Sequence, residues 1–250
     1  MPSLKQKLNA DARLTTVVCT IPSATVTQAI AASGVDSLIV DLEHGAVDYS
    51  SAHAMIAATA GTECAPLVRV AENNEAQVKR ALDLGAEGIV FPLIRDAQDA
   101  KRAVASMRYP PRGTRGFGPF IAQSRWQSSM PTYQADIEDH LVCCLLIETV
   151  EAVANINEIC ATEGVDLLVV AAFDLSTSLG ISGQFDHPEF VAAQTTVEQA
   201  AAKAGIPLAG NALIKEQADA LFARGYRMVG GFDILWLRQK AAEIQGWTAK

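Results

Sequence analysis

Eight short apolar runs are spaced along the chain, and a stretch of helical period, mostly Ala-rich, follows each of the first seven. The runs cover residues 15–20, 37–41, 66–70, 88–92, 141–147, 166–171, 207–210 and 227–230. They are continuous rather than alternating, as in SLIVD and LLVVA, which suits parallel strands covered on both faces. Helices are expected over 26–32, 51–60, 75–84, 97–106, 150–161, 189–204 and 215–223. Several close on a Gly where a left-handed cap belongs, as in ASGVD, DLGAEG and ARGYR. Strand and helix alternating in this way make a parallel sheet. At 250 residues the simplest closed form is an α/β fold of the (β/α)8 or TIM-barrel type. No linker, low-complexity tract or charge block interrupts the pattern, so residues 1–250 read as a single barrel domain.

The remaining composition narrows the function classes. A net charge of −8 argues against nucleic-acid or anionic-membrane partners, both of which need a basic face. No apolar stretch approaches the roughly 18 residues of a membrane span. The start, MPSLKQKLNADARL, lacks the apolar core of a secretory signal. The five cysteines form no CxxC pair, and Cys19, Cys143 and Cys144 lie inside apolar runs, as expected of reduced core thiols in a cytoplasmic protein. One segment, 108–134, is rich in Pro, Gly, Arg and Ser and breaks the rhythm. As an insertion after the fourth strand it is expected on the loop side where barrel sites are built, with 108–120 closing one side of the pocket. An ordinary solvated loop is the other reading.

In such a barrel the reactive side chains hang from the carboxyl ends of the strands. Those ends carry Asp41-Leu42-Glu43-His44, then Arg69, Glu148, Phe173-Asp174 and Asn211. A barrel built for stability alone has no reason to gather so many ionisable groups on one rim. Glu148 and Asp174 are placed to share a hard divalent cation, with water and substrate oxygens completing its shell. As helix N-caps they would serve structure only. His44, beside two acids, is a candidate general base or a satisfied structural histidine. Arg69 offers a fork suited to a carboxylate, and an ion pair with Asp41 or Glu43 is the alternative. His53, His140 and His187 read as structural. A Schiff-base mechanism needs a Lys inside the barrel. The eight lysines, at 5, 7, 79, 101, 203, 215, 240 and 250, all read as helical or terminal. Carbanion chemistry here would lean on a metal instead.

The blocks VDLEHGAVD, LVRV, ALDLGAEGIVFPLI, RYPPRGTRGFGP, LLIETVEAVANINEI, EGVDLLVVAAFDLSTSLG and MVGGFD resemble, in order and spacing, the HpcH/HpaI aldolase family. These are the class II pyruvate aldolases, and the resemblance covers nearly the whole chain. It implies a (β/α)8 barrel whose eighth helix is exchanged between neighbours, usually in a hexamer. The apolar segment 234–247, with Trp236 and Trp247, is compatible with such a swap and equally with ordinary packing. The resemblance further implies a divalent cation (Mg2+, Mn2+ or Co2+) bound by the residues that match Glu148 and Asp174. The acid–base histidine matches His44, the acid that supports it matches Asp83, and the arginine that grips the pyruvyl unit matches Arg69.

The implied reaction is cleavage or condensation of 4-hydroxy-2-oxo acids, giving pyruvate or a close 2-oxo acid such as hydroxypyruvate plus an aldehyde, through a metal-stabilised enolate. Small molecules are then the substrates. An oxaloacetate-type decarboxylase or a citrate-lyase-like acyl-CoA lyase is the alternative on the same barrel, and a non-catalytic 2-oxo acid binding protein is a third. Two departures fall beside the expected metal. Leu146 stands where the family usually has Gln, and Ala171-Ala172-Phe173 replaces a Gly-Pro-small run. Leu146, Ala172 and Phe173 are therefore read as substrate-binding positions with a drier character. A preference for small or apolar aldehydes over sugar-derived ones is expected from them.

Overall fold

The computed structural model describes residues 2–10 and 12–248. Met1, Asp11 and Lys250, which enter the readings above, lie outside them. The first half of the chain runs α1 (Leu4–Asn9), β1 (Leu14–Cys19), α2 (Ala24–Ala32), β2 (Ser37–Asp41), α3 (Tyr49–Ala57), β3 (Ala65–Arg69), α4 (Glu75–Asp83), β4 (Gly88–Phe91) and α5 (Ala97–Met107). Two short helices follow, α6 (Ala122–Trp126) and α7 (Tyr133–Ile137). The second half runs β5 (Val142–Ile147), α8 (Val150–Ala154), α9 (Ile156–Cys160), β6 (Leu167–Val170), α10 (Ala172–Ser178), α11 (Pro188–Ala204), β7 (Leu208–Asn211), α12 (Lys215–Ala223), β8 (Met228–Phe232) and α13 (Asp233–Gly246).

The eight strands close in sequence order, every neighbouring pair parallel and β8 returning to β1, so the fold is a (β/α)8 TIM barrel. Burial on both faces explains the unbroken apolar runs. In β2, Leu38 and Val40 pack outward against the helices, whereas Ile39 points into the barrel with Val18, Leu67, Val90, Leu146 and Val169. The expected Gly caps are present: Gly34, Gly85 and Gly225 have φ of 91°, 102° and 92°.

Three features depart from expectation. The first is α1, whose buried Leu4 and Leu8 plug the barrel's amino end. Lys5 and Lys7 hold it there through Asp166 (2.8 Å) and Asp36 (3.1 Å), residues that immediately precede β6 and β2. Secondly, the expected helix over 150–161 breaks at Asn155, whose Nδ2 donates to the Arg95 carbonyl at 3.0 Å.

The third concerns residues 108–134. They follow α5 and precede β5, so they lie at the amino end of the barrel, opposite the carboxyl ends of the strands. None of them lines the cavity described below. The expectation that this segment closes one side of the pocket is therefore corrected within a single chain: the insertion interrupts a helix-to-strand connection rather than a strand-to-helix one.

At the other end of the chain, α13 leaves the barrel instead of sealing it. After Trp236 it is exposed along its whole length, and Leu237, Ile244 and Trp247 are 58%, 49% and 73% exposed. The place where an eighth helix would lie between α12 and α2 is an apolar groove of about 820 Å3. Its lining includes Val26, Ile30, Ile214, Ala218 and Val229.

All five cysteines are free and buried. Burial pushes the Cys64 thiol up to about 12 and the Cys160 thiol up to about 11. Cys19, Cys143 and Cys144 are raised by the same cause. No helix among the described residues is long and apolar enough to cross a membrane.

Candidate active site

The carboxyl ends of the strands surround a cavity of about 260 Å3. Its polar lining is Thr20, Asp41, His44, Arg69, Asp174 and Asn211. The remainder is apolar and includes Leu146, Ala172, Phe173, Phe232, Ile234 and Leu235.

Asp41 and Arg69 end β2 and β3 and are register partners across that pair of strands. This places the guanidinium directly on the carboxylate: Nε donates to Oδ1 at 2.8 Å and Nη2 to Oδ2 at 2.6 Å. Asp41 is fully buried and also accepts the backbone N–H groups of Glu43 (3.0 Å) and His44 (3.2 Å). Burial works against its charge, yet the Arg69 hydrogen bonds and positive charge hold the carboxyl below the usual range. One acid thus fixes both the arginine and the turn that presents the histidine. The ion-pair reading of Arg69 is correct, and it leaves the arginine available: among the described residues Nη1 makes no hydrogen bond.

Glu43 lies 3.4 Å from Arg69 Nε and 3.8 Å from His44 Nε2. Its Oε2 is buried without a hydrogen-bond partner, and burial raises its carboxyl. His44 itself stands open at the rim, with its side chain 66% exposed.

Glu148 and Asp174 are not used as helix caps. The cap of α8 is Thr149, which accepts from Ala152, and α10 has no side-chain cap. Glu148 is 7% exposed and accepts the Leu93 N–H. Leu93 has φ 55° at that contact, a left-handed conformation that costs a non-Gly residue about 1–2 kcal/mol. Burial pushes the Glu148 carboxyl up to about 7, against the Leu93 hydrogen bond and with the like charges of Asp174 and Glu43 adding to it. Asp174 makes no hydrogen bond among the described residues and is exposed to the cavity.

The charge balance of this rim is negative. Arg69 is already matched by Asp41, and three further carboxylates, Glu43, Glu148 and Asp174, act on one another with no other Lys or Arg lining the cavity among the described residues. A divalent cation fits this arrangement. Two carboxylates are enough for an open oxygen-ligated site whose remaining positions belong to water and substrate. No group of three or more His, Cys, Asp or Glu side chains that could hold a metal ion occurs among the described residues.

Of the residues singled out from sequence, His44, Arg69, Leu146, Ala172, Phe173 and Asp174 line one cavity, and Glu148 lies close enough to feel the charges of Arg69, Asp174 and Glu43. Asp83 is not among them. It ends α4 at the amino side of the barrel and accepts from Arg115 Nη2 at 2.7 Å. Arg115 is itself buried and faces the ring of Tyr109. No described lysine lines the cavity. The pairing of Arg69 with Asp41 or Glu43 was expected; the hold of Asp41 on the His44 turn and the Leu93 N–H on Glu148 were not. The spacing of Asp41 to Arg69 carried the only available signal, since adjacent parallel strands ending in opposite charges bring them together.

A family model described as HpcH/HpaI aldolase/citrate lyase matches residues 19–238. The chain is 33% identical over 223 residues to a 2-dehydro-3,6-dideoxy-6-sulfogluconate aldolase of Pseudomonas putida, covering 89% of this chain and 87% of that protein. It is 36% identical over 200 residues to a 4-hydroxy-2-oxo-heptane-1,7-dioate aldolase of Salmonella dublin, covering 77% and 76%. A crystal structure of a family protein from Burkholderia cenocepacia J2315 superposes with a TM-score of 0.91 at 29% identity, covering 99% of both chains.

Proposed function

The chain belongs to the HpcH/HpaI aldolase/citrate lyase family, and from that premise we propose that it cleaves and forms 4-hydroxy-2-oxo acids, with pyruvate or a close 2-oxo acid as one partner and an aldehyde as the other. As an aldolase it is a carbon–carbon lyase. The observation that carries the reading is the meeting of Arg69, His44 and Asp174 in one cavity, with Glu148 beside them and no described lysine.

Arg69 receives the 2-oxo acid through Nη1, the nitrogen that Asp41 leaves open. His44 takes the proton from the 4-hydroxyl in cleavage and returns it in condensation. A Mg2+, Mn2+ or Co2+ ion bound by Glu148 and Asp174 would supply the positive charge facing the oxygen on which enolate charge develops. Leu146, Ala172 and Phe173 form the apolar side of the site. The acid beside His44 in its own chain is Glu43. Asp83 could support a His44 only from a neighbouring copy, and that is the role we assign it.

The test is a panel of 2-oxo acids and aldehydes, with oxaloacetate included, assayed with and without each cation. Cation-dependent turnover of a 4-hydroxy-2-oxo acid supports the reading; decarboxylation of oxaloacetate without any aldol turnover overturns it. A coenzyme A thioester is a poor fit, because Arg69 is the one Lys or Arg lining the cavity among the described residues. No imine is expected either. Borohydride added in the presence of pyruvate should leave the protein mass unchanged, and a reduced pyruvyl adduct on any lysine would replace this mechanism with a covalent one.

We also assign the open groove between α2 and α12 to a second copy of this chain. The occupant is α13, whose exposed Leu237, Ile244 and Trp247 have no apolar cover of their own. A homo-oligomer, a hexamer by resemblance, is expected at micromolar concentration. Ile30→Asp, in the groove, should shift the mass measured by light scattering toward the monomer. A wild-type protein that remains monomeric excludes the exchange.

A further inference from the structure

Phe173 is part of a stack of rings. It lines the cavity and leaves 56% of its surface open. A phenyl ring so exposed is ordinarily free to change rotamer. This one is met edge-on by Phe185, with ring centroids 4.9 Å apart and planes at 87°. Phe185 in turn leans on Phe190, centroids 5.5 Å apart, and Phe190 is buried near the start of α11 at 2% exposure. Three rings therefore carry the order of the core out to the mouth of the site.

What else faces this space decides what the wall is for. Leu146, Phe232, Ile234 and Leu235 line the same cavity. Asp41, His44, Arg69 and Asp174 are committed to the 2-oxo acid, the cation and proton transfer. Of the two other polar residues, Thr20 is held by Asp233, its hydroxyl donating at 2.8 Å. Thr20 keeps its acceptor lone pairs and Asn211 its amide, so among the described residues lining the cavity these two side chains are what is left to meet an acceptor's hydroxyl groups. A polyhydroxylated acceptor would bury several hydroxyls against carbon, at a cost of about 1–3 kcal/mol each. A flat apolar acceptor loses nothing there and gains an edge-to-face or offset contact with a ring already fixed in place.

We propose that the aldehyde partner carries an aryl or similarly flat apolar group, received on the Phe173 ring, with Phe185 as the positioning residue that holds that ring. The proposal rests on the aldolase reading above and narrows its substrate class.

The test uses binding, so that it does not depend on turnover. Affinities of the Mg2+-loaded protein are measured by calorimetry for pyruvate, 2-oxobutanoate and 2-oxo-4-phenylbutanoate. The last has the carbon skeleton of the benzaldehyde adduct but no 4-hydroxyl, so it cannot be cleaved. The phenyl compound should bind about tenfold more tightly than 2-oxobutanoate, the value of a well-placed aromatic contact. That margin should fall to about twofold in Phe173→Ala. It should also shrink in Phe185→Ala, which keeps its pyruvate affinity because Phe185 does not line the cavity. A wild-type margin below twofold, or one that survives Phe173→Ala, overturns the proposal, and a margin that survives Phe185→Ala removes the positioning role. Binding of pyruvate without a phenyl margin sinks the aromatic wall alone. Failure of all three acids to bind overturns the aldolase reading together with it.

Discussion

Replacing Glu148 by Gln is expected to lower turnover by about a thousandfold or more and to abolish the response to added divalent cation. The residue is buried, and its carboxyl is pushed up to about 7 by that burial and by the charges of Asp174 and Glu43. Folding therefore holds a carboxylate where a proton is already favoured, and a cation must displace that proton to bind. Two signatures follow. Cation affinity should drop by about tenfold per pH unit below 7, as proton and metal compete for one group. The second is in stability. A carboxyl raised in the folded state contributes stability that is present below its unfolded value of 4.5 and is lost as pH rises through about 7. Cation-induced stabilisation in thermal melts should then be larger at pH 8 than at pH 6, and Glu148→Gln should remove both pH effects. Full turnover by Glu148→Gln, or by the Glu148→Ala, Asp174→Ala pair, would show that the charge on the enolate is met elsewhere.

His44→Ala should reduce kcat by about 10²–10⁴-fold, the range for a positioned acid–base group. The imidazole is the one at the cavity, and Asp41 fixes the turn that carries it by accepting the His44 N–H. Because the side chain is largely exposed, truncation should leave the melting temperature nearly unchanged, which separates a chemical role from a structural one. Binding of 2-oxo acids should also survive, since that depends on Arg69 and the cation. Arg69→Ala should behave differently: it weakens binding and rate together, and it strands the buried Asp41 without its partner. Wild-type kcat in His44→Ala would send the search for the base to Glu43.

The strands were legible because a parallel barrel buries both faces of each one, and runs such as SLIVD record that directly. The long helices were legible from their period and their Gly caps. The short ones were not. Helices α6, α7 and α10 have five, five and seven residues and no side-chain cap, so packing rather than propensity forms them. The position of 108–134 was legible and misassigned: the expected helix over 97–106 already stood before the insertion, as α5 does, and a segment between a helix and the next strand lies at the amino end of a barrel. At the site, strand-end positions identified Arg69, His44 and Asp174, which line the cavity, and Glu148, which sits beside it. What the sequence could not carry was pairing between residues that do not face each other at the ends of adjacent strands. Nothing in the text of the chain says that the Leu93 N–H meets Glu148, or that Asp83 faces Arg115 at the far end.

An aldolase lives among electrophiles of its own making. Aldehydes attack proteins through thiolates and uncharged amines, and this barrel offers neither beside its reacting centre. No described lysine lines the cavity, and a buried thiol raised to about 11 is ionised in roughly one molecule in ten thousand at pH 7. Hemithioacetals thus have no foothold in the core. Imines can form only on amines such as Lys215 and Lys240, which stand in solvent away from the cavity. Burying every cysteine and keeping every described ammonium outside the cavity makes the interior inert toward its own products, leaving carboxylates, one guanidinium and one imidazole as the ionisable groups an aldehyde encounters there.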